Sequence, residues 1–307
     1  MTQEVQTYKY TCQNDWENLS IFLQEVYGYS SRLLRRIKKT GKMTINGKDC
    51  WLSSPLTKGD MVRVDMPQEE VDVEPVYGDI DILYEDDEVI CINKDAFCVT
   101  HPTKRHQLDT LANFVAAYYI ETKQRAKIRF VNRIDRDTTG IVVIAKNKYV
   151  HHFVQSEKKI DKVIKKYIAF VHGCPKTMEG CIDAPIEMSP ETGIERIVCP
   201  EGKPSITHYR VIETYGKTAS KLELILETGR THQIRVHLRH IGLPIIGDPM
   251  YGIEDFEDFG MKRQALHAAE MILEIPKKGK LYIKAPFKAD MKNLEKKLLM
   301  NEEEHGR

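Results

Sequence analysis

Apolar residues near the start of the chain recur with the period of an α-helix. The stretch LSIFLQEVYG, residues 19–28, places its apolar positions on one face, which predicts a helix that ends at Gly28. A second helix is predicted from Ser30 or Ser31, either of which can cap it, to the region of Gly41.

The rest of the chain mixes strand and helix patterns. A hairpin turn is indicated by Asn46-Gly47, and helical spacing covers residues 108–119 and 234–241. The predicted strands include VICIN (89–93), IVVIAK (141–146), KKYIAFVHG (165–173) and ASKLELILET (219–228). Because regular helices do not separate these strands, the pattern predicts an α+β fold. We expect a mixed, largely antiparallel sheet flanked by helices and preceded by a small α/β domain.

Charge divides the chain into blocks. Residues 32–48 contain seven Lys or Arg and no acid, whereas residues 68–88 contain ten acids and no base. So sharp a reversal is typical of a boundary between domains. The predicted units are a small basic domain (1–70), an acidic linker (71–88), a larger domain (89–290) and a charged C-terminal tail (291–307).

The overall composition excludes several classes of protein. The formal net charge is +1, so any affinity for nucleic acid must come from local clustering of charge. The seven cysteines form no CxxC pair, which argues against a zinc ribbon or a disulfide framework. No signal peptide or membrane-spanning run is recognisable in the sequence. We therefore expect a cytoplasmic protein with no membrane partner.

The basic block has the character of a surface that binds nucleic acid. A merely solvated amphipathic helix is the alternative, but such a face mixes both signs of charge, and this block lacks acids. Docking to phosphate is therefore favoured. The residues predicted to bind RNA are Arg32, Arg35, Arg36, Lys39 and Lys48.

The segment NRIDRDTTG, residues 132–140, concentrates charge in front of an apolar strand. Asp135 lies between Arg133 and Arg136, and a carboxylate beside guanidinium groups stays ionised. Such a group can act as a nucleophile or stabilise positive charge. The alternative is an aspartate that only bonds the backbone of a turn.

A second polar cluster lies in TGRTHQIRVH, residues 228–237. Arg235 adjoins Ile234 on the core-facing side of the predicted helix, and a partly buried arginine needs an anion. Asp135 is the expected partner, which Arg235 can hold with two parallel hydrogen bonds. Histidines at 232, 237 and 240 raise the possibility of a metal site. Their side chains diverge on a helix and no HExxH motif is present, so no metal is predicted.

Residues 15–66 resemble the RNA-binding module named after small-subunit ribosomal protein four. The matching positions are Phe22-Leu23, Ser31-Arg32, Gly41, residues 45–48 and Gly59-Asp60. The resemblance implies binding to structured RNA rather than to DNA.

Five further motifs, in order along residues 89–290, resemble those of the RluA/RluD-type family of uridine-to-pseudouridine synthases. NRIDRDTTG is similar to HRLDxxTSG, and TGRTHQIRVHLRHIGLPIIGDPMYG matches a second long signature almost letter for letter. INKDAFCVTHP, KKYIAFVHG and RQALHA are similar to the opening, strand and closing motifs. The resemblance implies isomerisation of uridine in RNA without a cofactor. It favours ribosomal RNA over transfer RNA as the partner, with no obligate protein partner evident.

The same resemblance implies a role for each matching residue. Asp135 corresponds to the catalytic aspartate, Arg235 to the arginine paired with it, and Tyr167 to the tyrosine that stacks on the target base. Arg133 corresponds to an arginine that helps to hold the displaced base or the RNA. Leu266 corresponds to an apolar residue at the floor of the pocket, and we expect Ile234 to line the same pocket.

The chain departs from the family pattern at several positions. Asn132 replaces the usual His, while Asp95 and Phe97 stand where the opening motif prefers Pro and Gly. None of these changes removes the aspartate, the tyrosine or the arginine. Two other hypotheses remain: a catalytically inactive RNA-binding or ribosome-assembly factor of the same fold, and an unrelated metal-dependent hydrolase.

Overall fold

The computed structural model describes residues 5–156, 163–254 and 256–305 of the 307-residue chain. An N-terminal antiparallel sheet contains β1 (Thr7–Thr11), β2 (Lys42–Ile45), β3 (Lys48–Asp49) and β4 (Met61–Asp65). Their order in the sheet is β1-β4-β2-β3. Asn46 and Gly47 have φ values of 50° and 79°, as a type I′ turn requires, so the predicted hairpin is confirmed.

Two helices pack on this sheet, α1 (Leu19–Tyr27) and α2 (Ser31–Thr40). The first ends at Gly28 with φ 71°, as predicted, although Val26 on its apolar stripe is exposed. Ser30 rather than Ser31 caps α2, because its hydroxyl accepts a hydrogen bond from Leu33 N at 3.2 Å. The leucines and isoleucine of α2 are buried, which leaves most of its basic residues at the surface.

A ten-stranded mixed sheet forms the centre of the larger part. Its strands are β5 (Ile82–Glu85), β6 (Val89–Lys94), β7 (Arg129–Phe130), β8 (Thr139–Ala145), β9 (Ile164–His172), β10 (Glu179–Asp183), β13 (Ile206–Tyr215), β14 (Ala219–Leu226), β15 (Leu266–Ile275) and β16 (Gly279–Lys284). A separate hairpin contains β11 (Ile186–Met188) and β12 (Arg196–Val198).

The order of the large sheet brings distant motifs side by side. Its main path is β10-β13-β14-β9-β15-β8-β6-β5, with β16 paired to β15 and β7 paired to β8. Only the pairing of β15 with β8 is parallel among these strands. The predicted α+β class with a largely antiparallel sheet is confirmed. The closing motif on β15 thus lies directly beside the strand that follows NRIDRD.

Among the described residues, four helices accompany this sheet: α3 (Leu111–Glu121), α4 (Lys148–Gln155), α5 (Gln233–His240) and α6 (Ala289–His305). The C-terminal segment is not the charged tail that we expected. In α6, Met291, Leu294 and Leu298 are buried in the main core cluster. Their spacing of three and four residues places them on one face of the helix, which anchors this segment to the sheet. Of the helices within the described ranges, none has the length and apolar character of a membrane span.

The acidic segment 71–88 also differs from a free linker. Its last part forms β5, an edge strand of the large sheet. Val71, Val73 and Ile80 pack against the apolar cluster around α3. Asp72 forms an ion pair with Lys127 at 2.9 Å. The acids of this segment therefore meet cations of the larger part, which draws the segment onto its surface.

A cluster of tyrosines joins the N-terminal sheet to the larger part. Tyr149 in α4 stacks on Tyr29 with ring centroids 4.0 Å apart and meets Tyr8 edge-on at 4.9 Å. The Tyr8 hydroxyl donates to the buried Glu88 at 2.8 Å, and Lys277 N donates to the same carboxyl at 2.8 Å. Burial raises the pKa of Glu88 to about 7. The two parts thus share one packed interface.

Candidate active site

Residues 132–138, here called the aspartate loop, connect β7 to β8. Asn132 is buried and fixes the start of the loop. Its amide donates to Ile141 O at 2.9 Å, and its carbonyl oxygen accepts from Val143 N at 2.8 Å. Thr138 N donates to Asp135 O at 3.1 Å and closes a turn. The residue that replaces the family's histidine therefore orients the loop through the backbone of β8.

Asp135 and Arg235 meet where the aspartate loop faces α5. Arg235 Nη1 donates to Asp135 Oδ2 at 3.4 Å. The Arg235 side chain is 6% exposed and that of Asp135 is 28% exposed. The carboxylate is thus open to an approaching molecule while its cationic partner lies in the interior.

The prediction that Arg235 holds Asp135 with two parallel hydrogen bonds is wrong. Arg235 forms that bidentate pair with Asp248 instead. The Nε–Oδ2 and Nη2–Oδ1 distances are both 2.7 Å, and the Asp248 side chain is fully buried. Burial by itself would lower the pKa of Arg235, but the hydrogen bonds and charge of Asp248, and then the charge of Asp135, raise it. Sequence reasoning missed Asp248, which lies in the turn-like GDPMYG part of the second signature.

Three predicted pocket residues come together beside this pair. Tyr167 on β9, Ile234 on α5 and Leu266 at the start of β15 are buried in one apolar cluster. Ile134, the neighbour of Asp135, packs against the same cluster. Burial, and then the charge of Asp135, raise the pKa of Tyr167. An apolar wall with an aromatic ring therefore adjoins the carboxylate.

The two arginines that flank Asp135 have different surroundings. Arg136 pairs with Asp137 through Nε–Oδ1 and Nη2–Oδ2 contacts of 2.8 and 3.0 Å. Arg133 is exposed. Burial lowers the pKa of His101, and the charge of Arg133 lowers it further, so Arg133 lies near the opening motif. Arg133 is therefore available to an external anion.

Lys94 is a buried cation that holds the aspartate loop, and sequence reasoning gave it no role. It is 1% exposed, and its Nζ donates to Asp95 O, Cys98 O and Arg136 O at 2.7, 2.8 and 2.8 Å. Burial lowers the pKa of Lys94 to about 8. The ammonium group thereby ties the opening motif to the residue after Asp135. The position of Lys94 in the INKD motif was the sequence signal that could have indicated this role.

Arg263 supports the loop from the other side. It donates to Asp137 O at 3.1 Å and pairs with Asp290 at 2.6 and 3.0 Å. An added Cβ on Gly140, whose φ is 109°, would overlap the backbone of Ala268. Only glycine therefore lets β8 approach the closing motif this closely.

The histidines that raised the possibility of a metal site do not converge. His232 Nδ1 lies 3.0 Å from the Tyr251 hydroxyl. His237 is buried between the hydroxyl of Thr207 at 2.8 Å and the carbonyl of Ala184 at 2.9 Å. In the part of the chain that the structure describes, no group of three or more His, Cys, Asp or Glu residues has a metal-binding arrangement.

The predicted RNA-binding residues belong to α2 and to β3 of the N-terminal part. Those that are exposed are Arg32, Arg35, Lys39 and Lys48. Arg36 is instead half-buried and pairs with Glu69 at 2.6 Å, and Glu69 also pairs with Arg129 at 2.6 Å. Burial lowers the pKa of Lys148, at the start of α4, and the charges of Arg32 and Arg36 lower it further. The basic surface therefore continues from α2 onto the larger part.

The fold and site match a class of enzyme that modifies RNA. Residues 88–240 match the family model described as RNA pseudouridylate synthase. The chain is 39% identical to the "Uncharacterized RNA pseudouridine synthase YjbO" of Bacillus subtilis, over 87% of this chain and 94% of that protein. It is 33% identical to the "Ribosomal large subunit pseudouridine synthase D" of Escherichia coli K12, over 99% of this chain and 98% of that protein.

Solved structures give the same class. The human RNA pseudouridylate synthase domain containing 1 superposes with a TM-score of 0.58 at 25% identity, covering 71% of this chain and 89% of that one. The chain therefore belongs to the RNA pseudouridylate synthase family, and its resemblance to the RluA/RluD type is confirmed. It is an RNA pseudouridine synthase, and an inactive factor of the same fold is not favoured.

Proposed function

We propose that this synthase isomerises uridines of ribosomal RNA and that Asp135 carries the chemistry. The observation that carries the proposal is the 3.4 Å contact between Asp135 Oδ2 and the buried Arg235. The choice of ribosomal RNA rests on the Escherichia coli relative, whose name assigns it to the large ribosomal subunit. It rests also on the N-terminal part, which resembles a module for structured RNA.

The reaction rearranges the nucleoside and calls for a charged group rather than a cofactor. The bond from ribose to a uracil nitrogen breaks, the base turns, and a new bond forms at carbon five, which releases its proton while the freed nitrogen takes one up. No atom of the nucleoside is otherwise gained or lost. An ionised carboxylate can attack the sugar or stabilise a developing oxocarbenium ion, as carboxylates do in glycosidases. Asp135 is partly exposed beside a fixed guanidinium, which suits either role.

The neighbouring wall suits a flipped base. A uridine that leaves its stack loses stacking free energy of roughly a few kcal/mol, and an aromatic side chain that stacks on the base restores part of it. We assign that role to Tyr167, with Ile234 and Leu266 as the apolar surface that keeps water from the sugar. Arg133, exposed at the loop, would hold a phosphate or the displaced base.

We assign the remaining contacts with RNA to the basic surface. Arg32, Arg35, Lys39 and Lys48 are exposed and can neutralise phosphates. Arg36 would contribute less, because Glu69 already pairs with it.

The cysteines of the chain are free, which supports a reducing compartment such as the cytoplasm.

Mapping pseudouridines in total RNA from cells with and without the gene tests this proposal. We expect one or more pseudouridines to disappear from ribosomal RNA and to return when the intact gene is restored. A gene copy encoding Asp135→Asn should not restore them. Loss confined to transfer RNA would contradict the proposed substrate, and restoration by the Asp135→Asn copy would contradict the proposed role of Asp135.

A further inference from the structure

Phe97 has a backbone conformation that phenylalanine rarely adopts. Its φ is 60°, in the left-handed region where glycine is the usual residue. The cost of such a conformation persists only where the surroundings impose it, and such residues cluster at functional sites. The conformation of Phe97 therefore needs an explanation.

Packing does not provide that explanation. The Phe97 side chain is 60% exposed, so little of its ring is removed from water. Phe259 has a similar φ of 51°, but it is partly buried and packs against the main core cluster. Burial of apolar surface compensates the conformation of Phe259, whereas Phe97 presents an apolar ring to solvent.

The turn that carries Phe97 is attached to the aspartate loop. Lys94 Nζ binds the carbonyls of Asp95 and Cys98, on either side of Phe97, and the carbonyl of Arg136. The Asp95 carboxylate also pairs with Lys288 at 2.9 Å. The turn is thus fixed at both ends, and the ring of Phe97 projects from a rigid support beside the segment that contains Asp135.

The opening motif that contains Phe97 also brings His101 near an aromatic ring and a cation. The His101 ring lies edge-on to Phe130 at a centroid distance of 4.3 Å, and the charge of Arg133 reaches His101. An exposed aromatic ring on one segment and an exposed arginine on the segment bound to it provide the two groups that bind single-stranded nucleic acid. The ring stacks on a base while the arginine meets the backbone.

We propose that Phe97 forms a second base-binding subsite, in which an unpaired nucleobase next to the target uridine stacks on its ring. The inference rests on the proposed function, because it requires RNA to lie across the aspartate loop. Phe97 does not touch the reacting atoms in this account, so it contributes to binding and positioning of the RNA. A rigid turn lowers the entropy lost when the base stacks.

Replacement by glycine tests the subsite, because Phe97→Gly removes the ring and also relieves the backbone. With total RNA from cells that lack the gene, labelled with tritium at uridine carbon five, turnover is followed as released tritium. We expect KM to rise about 5- to 150-fold in Phe97→Gly, the range for loss of one stacked base, with kcat changed less than threefold. Phe97→Tyr should keep a normal KM. The melting temperature of Phe97→Gly should equal or exceed that of the wild type.

Tyr282→Leu is the matched control. Tyr282 is also an exposed aromatic residue, but it pairs with Ile272, far along β15 from the contact between His267 and Thr139. Its substitution should leave KM unchanged. A KM for Phe97→Gly within twofold of the wild type would overturn the subsite.

A binding measurement separates this inference from the proposed function. The dissociation constant for an unmodified large-subunit ribosomal RNA transcript is measured for Asp135→Asn with and without Phe97→Gly. Weaker binding in the double variant supports the subsite even if the wild type releases no tritium, a result that would contradict only the proposed chemistry. Equal binding with normal wild-type turnover would contradict only the subsite.

Discussion

Arg235 and Asp248 form a buried ion pair with two hydrogen bonds of 2.7 Å each. The pair uses Nε and Nη2 of the guanidinium and leaves Nη1 directed at Asp135. Asp248 is held in turn by the backbone N–H groups of Met250 and Tyr251, at 3.0 and 3.1 Å. The orientation of Arg235 toward the exposed carboxylate is therefore set by a residue that does not face the substrate.

Asp248→Asn should impair turnover more than RNA binding. An amide cannot accept both guanidinium bonds, so Arg235 loses its fixed orientation. Misplacement of this kind costs on the order of 100-fold in rate. We expect kcat to fall about 10- to 100-fold with KM within threefold, measured by tritium release. Asp258→Asn is the control, since that carboxylate accepts from Gly247 N. Unchanged kcat in Asp248→Asn would refute the positioning role.

Lys94 should give the reaction a dependence on alkaline pH. Its pKa is about 8 in the folded chain, and a neutral amine has two N–H groups for three carbonyl acceptors. As pH rises through 8, the hold on Arg136 O weakens, and kcat should decline. Lys94→Met should lower kcat at pH 7 by about tenfold or more and abolish the decline. If kcat also declines above pH 8 in Lys94→Met, the decline in the wild type belongs to another group.

Glu88 should make the protein less stable as pH rises through the acidic range. Its pKa is raised from 4.5 to about 7 by burial. Between these values the unfolded chain has released the proton that the folded chain retains, so the free energy of unfolding falls with rising pH. The full change is about 3 kcal/mol. The free energy of unfolding, measured with denaturant, should differ less between pH 5 and pH 8 in Glu88→Gln than in the wild type. An equal difference in both proteins would contradict this assignment.

The basic surface should determine how RNA affinity depends on salt. Each phosphate contact contributes about 0.7 to 0.9 to the slope of log affinity against log salt. Arg35→Glu and Lys39→Glu should each reduce the slope by about one contact without changing stability. Arg36→Glu should also destabilise the protein, because it places two acids together with Glu69. Lys280→Glu, on the exposed side of β16, is the control. An unchanged slope for Arg35→Glu and Lys39→Glu would exclude the surface.

Local patterns predicted the elements that local physics determines. The end of α1 at Gly28, the capped start of α2 and the Asn46-Gly47 turn depend on neighbouring residues, and each appears in the structure. The α+β class followed from strands that lack intervening helices. Patterns over a few residues were sufficient because helix caps and tight turns are decided within four or five positions.

Long-range partners were not available from these patterns. The sequence indicated that Arg235 needs an anion but assigned Asp135 alone, whereas Asp248 takes two of its bonds. The burial of Lys94 against three carbonyls likewise depends on how β6 meets the aspartate loop. From their charge, the acidic segment was predicted to be a linker and the C-terminal segment a charged tail. Both segments instead pack against the larger part through their apolar residues. These contacts join residues that are distant in the sequence, so local patterns could not predict them.

Asp135→Asn provides the most direct test of the central claim, that a carboxylate held by Arg235 performs the isomerisation. Tritium release from uridine labelled at carbon five is measured together with the dissociation constant for the same RNA. We predict that release falls at least 1,000-fold, by about 4 kcal/mol in the barrier, while the dissociation constant changes less than threefold. Tritium release by Asp135→Asn at a rate near that of the wild type would contradict the claim.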